Sequence, residues 1–403
     1  MSTAKADMMT ENHVRPESAH VVMLAQYLPL HFASTMQKLA KKVGRFTLVL
    51  SEPMDASRDW APDFAGLNVC LQKSLRVPIK HRHPLGFEDA GTLIFPYSTI
   101  PDLWRLKPDV VIAVEVGART MQAALLRELG AAFRLIVQVR ESENTASSRG
   151  VLRRSIRRFL LPRADAVFVN GNSGRKHVLD CGVEASRIAV VPSGTDTTVF
   201  GKNARPARGT GDELVLLYVG QLIPRKGILP FAQALADEAR LNGRKICWRI
   251  AGRGPLEAAL RAIAWPENVR LEFLGSKSYR DLPRYYEDAD VFVMPSLSDE
   301  WGLVVNEAMA SGLPVLGCTG AQSVEELVVN GSSGWTYAPQ EEAALRGHLR
   351  RVFDASPSEL ASLGAEARRV ALEMSDDFVA AAMFGGIMRV LRTPHPMRLR
   401  SYA

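Results

Sequence analysis

Two series of short, nearly continuous apolar runs, each run followed by a helical stretch, constrain this chain more than any other feature. In the first series His20–Ala25, Phe46–Leu50, Asp109–Val114, Arg134–Val139 and Ala166–Asn170 read as strands, with a helix over Ala33–Lys42. In the second, strands over Leu214–Val219, Ile246–Ala251, Val269–Leu274, Val291–Met294 and Val315–Leu316 alternate with helices. Strands apolar on both sides of the pleat belong to parallel sheets with helices on both faces. Between the series, residues 201–212 (GKNARPARGTGD) have no hydrophobic period and read as a linker. Helical patterns over Glu341–Phe353 and Ser358–Met374 close the second series, and an apolar helix over Asp377–Leu391 precedes a basic tail. The expected class is α/β, with two Rossmann-like doubly wound domains facing a central cleft. Residues 1–19 form a tail and 20–202 a first domain, completed by the helix at about 377–391. Residues 203–376 form the second domain. Such sheets bind ligands at the carboxyl ends of their strands.

Composition narrows the classes. At ~150 residues per domain, 403 residues suit two or three domains. With 47% hydrophobic and 23% charged residues the chain is neither disordered nor fibrous. The net charge of +7 is modest, so its placement matters more than its size. Cys70, Cys181, Cys247 and Cys318 are far apart with no CxxC pair, which argues against a disulfide framework or zinc ribbon and for a reducing compartment. No apolar run approaches the ~18 residues that span a bilayer, and the polar first twenty residues contain no signal-peptide core. The expected location is the cytoplasm.

Residues 291–317, VFVMPSLSDEWGLVVNEAMASGLPVLG, hold the densest chemistry. A strand ends at Met294, a loop carries Asp299 and Glu300, and Gly302-Leu303 leads into a helix holding Glu307. Gly302 allows close backbone approach, and the unpaired amides of the helix start suit an anion. Glu307, one turn in, can accept both hydrogen bonds of a ribose diol. The bland alternative is a buried helix with an incidental carboxylate. The stretch resembles the EX7E region of retaining GT-B glycosyltransferases of the group 1 (family 4) type: Glu, seven residues, Glu, then Ala-Met-Ala-x-Gly-x-Pro-Val. Residues 308–315 match that tail in full, Glu307 takes the second acidic position, and Asp299 stands at the first.

Three further segments fit the resemblance. In YVGQLIPRKG (218–227) a strand ends at Gly220, and a turn brings Arg225 and Lys226 before Gly227, cations suited to a diphosphate or to a solvated basic turn. The family pattern has Arg where Gln221 stands, which removes one positive charge; Lys226 matches. IAGRGPLEAAL (250–260) places Gly252 and Gly254 in a tight strand-to-helix turn, like the family's AGxGP, and Leu274-Gly275 ends the next strand, where the family holds the base. VPSGTD (191–196) resembles a family segment before the linker; Ser193-Gly194-Thr195 either approaches the sugar diphosphate or is a tight turn.

Other features depart from the pattern. Asp288-Ala289-Asp290 could be read as a metal-binding DxD, but its position favours a helix end and a strand start. Many family members carry a cleft histidine near residues 140–150; RESENTASSRG has none, and Glu141 and Asn144 are its candidates for sugar or acceptor contact. The eight histidines fall in no motif, and His81 and His83 read as loop residues. The family's glycine pair after the first strand is replaced by Gln26-Tyr27, which makes Tyr27 an acceptor candidate. Arg149 to Arg163 contains six arginines and no acid. At 100° per residue Val151, Leu152, Ile156, Phe159 and Leu160 share one half of a helix, and Arg153, Arg154, Arg157 and Arg158 the other. That is either a packed surface helix or an interfacial helix on anionic lipid; nucleic acid is not expected, since only Phe159 could stack on a base.

The resemblance implies a nucleotide-diphosphate sugar donor, UDP- or GDP-linked, and no obligate cofactor or metal. It assigns Lys226 and Arg225 to the diphosphate, Asp299 to sugar hydroxyls and Glu307 to ribose. It places Gly220, Gln221, Gly252, Gly254, Leu274, Gly275, Gly302 and Leu303 around the donor. The acceptor is a glycan or a polyprenyl-diphosphate-linked glycan, entering from the first domain, with polysaccharide biosynthesis as the setting and the inner membrane face as a peripheral location. Gln221, Asp299 and the missing histidine keep a catalytically silent sugar-nucleotide scaffold open as an alternative, with a GT-B epimerase beside it. A phosphorylase would need a pyridoxal-lysine motif, which is not found.

Overall fold

The computed structural model describes residues 15–54, 64–82, 88–143, 145, 151–201 and 213–393. Most of the expected tail, the linker over 202–212, Asn144, His83 and Arg149 lie outside the described residues.

The first sheet has the order β3-β2-β1-β6-β7-β8-β9, all parallel. Its strands are β1 (His20–Ala25), β2 (Arg45–Leu50), β3 (Asn68–Leu71), β6 (Val110–Val114), β7 (Arg134–Val139), β8 (Ala166–Val169) and β9 (Ile188–Val190). β4 (Ser74–Arg82) and β5 (Glu88–Pro96) form a separate antiparallel hairpin. The second sheet runs β12-β11-β10-β13-β14-β15, also parallel. It is built from β10 (Glu213–Val219), β11 (Lys245–Ala251), β12 (Val269–Gly275), β13 (Val291–Met294), β14 (Val315–Cys318) and β15 (Gly334–Tyr337). Every residue of β1, β6, β7, β8, β13 and β14 is buried, because helices cover both faces.

In the first domain those helices are α1 (Leu30–Ala40), α2 (Thr99–Leu106), α3 (Ala118–Glu128), α4 (Val151–Leu160) and α5 (Asn172–Asp180). In the second they are α6 (Ile228–Leu241), α7 (Glu257–Arg261), α8 (Leu282–Glu287), α9 (Val304–Ala310), α10 (Gln322–Leu327), α11 (Glu342–Asp354) and α12 (Pro357–Glu373). The last helix, α13 (Asp376–Arg392), returns to the first domain. Val379, Met383, Ile387 and Val390 pack there with Met23 and Met36. Ser375 separates α12 from α13, its hydroxyl accepting from the Phe378 amide as an N-cap. Asp376 then accepts from Thr35 at 3.0 Å, and Asp377 pairs with Lys38 at 2.7 Å, which fixes the crossover to α1.

Strand order reverses between β1 and β6 and between β10 and β13, so each sheet opens a crevice at its carboxyl edge there. The alternation of runs predicts the central strands; it does not predict the hairpin or the edge strands β3, β9 and β15, whose runs are short or polar. His81 lies in β4, not in a loop.

Candidate active site

The second-domain crevice gathers most of the predicted site residues. Beyond β10, the chain turns at Gly220-Gln221 and reaches Arg225 and Lys226. Beyond β13 it passes Ser298 and Asp299 to Gly302 and α9. These two loops are stitched together: the Leu297 amide donates to the Arg225 carbonyl at 3.1 Å, and the Arg225 guanidinium donates to the Ser298 carbonyl at 3.1 Å. The Lys226 ammonium bonds the Asp299 carboxylate directly, and Arg225 lies 3.8 Å from its other oxygen. Burial pushes the Asp299 carboxyl upward, but Lys226 and Arg225 outweigh it and hold the group below its ordinary value. The cations therefore sit beyond the strand ends, both held to one carboxylate.

Glycines set the floor of the crevice. A Cβ on Gly252 would lie 1.8 Å from the Gly220 carbonyl oxygen, so the turns after β10 and β11 touch backbone to backbone. The Gly220 amide donates to Ala251 and the Gly252 amide to the Gly275 carbonyl, each at 2.9 Å, which aligns three strand ends. The Gly254 turn is equally close, its Cβ position 2.4 Å from the Leu222 carbonyl oxygen, and Leu274 is half-buried beside Gly275. Gln221 is exposed, and its carbonyl accepts from the buried Tyr218 hydroxyl at 2.8 Å. Gly302 adopts φ +95°, and a side chain there would strike Met294 Cε at 2.6 Å. Leu303 follows as the α9 N-cap, and no side chain caps the helix.

Glu307 is buried on α9, where the Tyr286 hydroxyl donates to its carboxylate at 2.8 Å. Burial first, and then Glu307, push the Tyr286 phenol well above its ordinary value, so it remains a donor. Asn306, which no sequence signal marked, is fully buried beside it. Its carbonyl oxygen accepts from the Trp301 indole at 2.8 Å, and its amide donates to the Ser193 carbonyl at 2.9 Å. That bond places the Ser193-Gly194-Thr195 turn against α9. The Thr195 amide donates to Met374, and Thr195 is buried. The structure thus uses this segment as a turn at the domain junction.

A second junction lies across the cleft. Glu326 of α10 accepts from the amides of Asn172 (2.5 Å) and Ser173 (3.2 Å) at the start of α5. A Cβ on Gly171 would fall 2.4 Å from the Glu326 carboxyl carbon. Beside it, Gln322 links the Glu300 carbonyl to the Gly174 amide.

The first-domain candidates are placed differently. Tyr27 follows β1 and is half-buried; its neighbour Gln26 donates to Glu52 at 3.2 Å. Glu141 lies beyond the end of β7, and its carboxylate turns inward to Arg157 of α4, 2.5 Å from both oxygens. Glu141 is thus held in a buried ion pair. His177 of α5 stands 3.9 Å from the same carboxylate, and burial lowers its imidazole pKa more than Glu141 raises it. The expected faces of α4 also need correction: Arg157 is 4% exposed and Phe159 is 58% exposed. Arg157 is 60° around the helix from Leu160, so Glu141 can pull it into the buried face, whereas Phe159 turns outward and stacks on Arg163 at 3.8 Å.

Asp290 and Asp288 serve the backbone. The Asp290 carboxylate accepts from the Val215 amide at 2.8 Å, and the Asp288 carbonyl accepts from Arg249. Among the described residues no three His, Cys, Asp or Glu side chains gather as metal ligands, and no helix is long and apolar enough to cross a membrane.

Comparison with known proteins agrees with this layout. A family profile described as "Glycosyl transferases group 1" matches residues 202–370, and one described as "Glycosyl transferase 4-like domain" matches residues 30–194. WcaL of Salmonella typhimurium, named as a colanic acid biosynthesis glycosyltransferase, is 28% identical over 295 residues, 71% of this chain and 70% of that protein. WcaL of Escherichia coli K12 is 29% identical over 272 residues, 65% of this chain and 66% of that protein. Among solved structures, Anabaena Alr3699/HepE in complex with UDP-glucose superposes with a TM-score of 0.67 at 17% identity, covering 92% of this chain and 99% of that one. The lipopolysaccharide outer core galactosyltransferase WaaB superposes at 0.69 with 15% identity, covering the same shares.

Proposed function

The chain belongs to the group 1 glycosyl transferases and has their two-domain GT-B fold, and on that premise we propose that it moves a sugar, with retention, from a nucleotide-diphosphate donor to a glycan or polyprenyl-diphosphate-linked acceptor in polysaccharide biosynthesis. The observation that carries the reading is the pair of cations, Lys226 and Arg225, fixed against Asp299 where the β10 and β13 strand ends diverge. The donor's diphosphate meets those cations, and the ammonium of Lys226 exchanges part of its contact with Asp299 for phosphate oxygens. As the C1–oxygen bond breaks, negative charge grows on the leaving diphosphate, and Lys226, Arg225 and the amides at Gly302 and Leu303 stabilise it. The acceptor oxygen bonds to C1 on the same face, and its proton passes to the departing phosphate oxygen. Glu307, oriented by Tyr286, takes the ribose hydroxyls, and Asp299 takes the sugar hydroxyls. The base lies along Gly252, Gly254 and Gly275. Tyr27 belongs to the acceptor side.

Anabaena Alr3699/HepE is known in complex with UDP and with UDP-glucose, and WcaL is named for a polysaccharide, which supports the donor and product classes. The basic segment ending at Arg163 fits a peripheral position on anionic lipid at the inner membrane face. Gln221 at the family's arginine position favours one rival, a sugar-nucleotide binder without turnover. Release of UDP or GDP from UDP- and GDP-sugars, followed with wild type, Lys226→Ala and Glu307→Ala, separates the two. A transferase releases nucleotide and loses that release in both variants, while a binder is thermally stabilised by the donor and releases none.

A further inference from the structure

Exposed large apolar side chains are unevenly distributed. In the second domain Leu241, Val329 and Leu372 stand apart on separate elements. In the first domain Leu179, Val190 and Phe378 also stand apart, but a larger group gathers on the hairpin and on α3, which contacts β5. β4 and β5 pair so that Leu75 is opposite Phe95 and Val77 is opposite Leu93, and all four project from the outer face of the hairpin into solvent. The alternate positions point inward: Ile94 is buried, and Arg76 pairs with Glu52 beyond β2 at 2.9 Å. The hairpin is thus rooted at the carboxyl edge of the first sheet, with an apolar face in solvent.

α3 extends this surface. Met121, Leu125 and Leu129 recur every four residues and are all exposed, one stripe along the outer side of the helix. Gln122 donates to the Pro96 carbonyl at the hairpin's end, and Arg127, near the other end of α3, bonds to the Arg163 carbonyl beyond α4. The stripe therefore runs from the hairpin to the helix bearing Arg153, Arg154 and Arg158, all outward-facing, and the Phe159–Arg163 stack. A shallow depression at the hairpin root is lined in part by Lys73, Tyr97 and Arg105, the last paired with Asp102 at 3.6 Å.

We infer that the outer face of the β4–β5 hairpin, the α3 stripe and α4 form one docking surface for an anionic phospholipid bilayer, with the hairpin inserted among the acyl chains and α4 lying on the headgroups. Charge complementarity selects this occupant. Anionic lipid neutralises the three exposed arginines of α4 and accepts Leu75 and Phe95 as well. The surface would hold the acceptor side of the cleft at the membrane. This extends the lipid reading of the arginine segment to an apolar anchor, but the test needs no donor or acceptor, so it stands or falls apart from the transferase assignment.

Flotation with vesicles of phosphatidylethanolamine and phosphatidylglycerol, and with phosphatidylcholine vesicles, reads the two parts separately. The full chain floats with the anionic vesicles, and a fraction stays bound in high salt, because apolar insertion is not screened. The Leu75→Ser/Phe95→Ser variant, altered only at solvent-facing positions, loses the salt-resistant fraction, a roughly tenfold or greater fall in partitioning. The Arg153→Gln/Arg154→Gln/Arg158→Gln variant loses the salt-sensitive preference for phosphatidylglycerol. Circular dichroism spectra and thermal midpoints, unchanged in both variants, show that they fold. Three results would overturn the inference. They are no flotation of the full chain, flotation of the hairpin variant equal to wild type, and a lipid-free dimer that the hairpin changes dissolve.

Discussion

On the second-domain side of the cleft, Lys226, Arg225 and Asp299 meet through two loops that leave adjacent strands, and each loop lies within one sequence motif. On the first-domain side, Glu141 meets Arg157 from α4 and His177 from α5, and Glu52 meets Arg76 from the hairpin. The second-domain side keeps its cations at the crevice, anchored to a carboxylate that a phosphate can partly replace. The first-domain side has turned these charges toward one another. The contrast teaches that the Lys226–Asp299 cluster joins two recognisable loop motifs, 73 residues apart, at a strand switch point, whereas the Glu141–Arg157 pair, only 16 residues apart, and the Glu52–Arg76 pair join segments that carry no motif.

The largest expected effect lies on the first-domain side. Arg157→Met leaves the Glu141 carboxylate buried without its main partner, which costs about 3–5 kcal/mol of stability, read as a fall in the thermal midpoint. Adding Glu141→Gln recovers much of that loss if the pair is structural. If Glu141→Gln alone leaves stability intact and abolishes transfer, Glu141 is a contact residue and the contrast breaks. Next is Lys226→Ala, for which the nucleotide-release rate falls roughly a hundred- to a thousandfold, the loss typical of one stabilising donor at a developing anion; the folded protein is retained, as circular dichroism would show.

Glu307→Ala has a smaller, mixed effect. It removes the ribose acceptor and strands the buried Tyr286 hydroxyl, costing about 1–3 kcal/mol of stability beyond the activity loss. A Glu307→Gln variant, still able to accept from Tyr286, keeps the stability and loses donor affinity. Glu326→Ala releases the start of α5 from α10, at about 1 kcal/mol, with a several-fold rise in donor KM and faster amide exchange at Asn172 and Ser173. The smallest effect is in pH. Asp299 has a folded value below its ordinary 3.8, so its contribution is complete above that value and is lost as pH falls through the depressed one. Thermal midpoints of wild type and Asp299→Asn should therefore converge only at pH below about 4.

The comparison also explains what the sequence could reveal. Asp299, Gly302 and Glu307 are within nine residues of one another, so local spacing carries their geometry. The central strands announce themselves because both faces are buried. Asn306 and Glu326 gave no signal, since their partners, Ser193 and the α5 amides, are more than a hundred residues away and are backbone groups. Periodicity placed Arg157 outside and Phe159 inside because an ideal helical wheel has no knowledge of Glu141. The hairpin's outer face reads like a buried strand, and only the sheet topology shows that nothing in the described chain covers it.

The central claim is that the crevice around Lys226 and Glu307 grips an activated sugar by its diphosphate and ribose. Calorimetric titration of UDP and GDP into wild type, Lys226→Ala and Glu307→Ala tests it most directly. The account predicts saturable binding of one nucleotide to the wild type and at least tenfold weaker binding to each variant. Equal affinity in all three proteins, or no binding of either nucleotide at millimolar concentration, would contradict it.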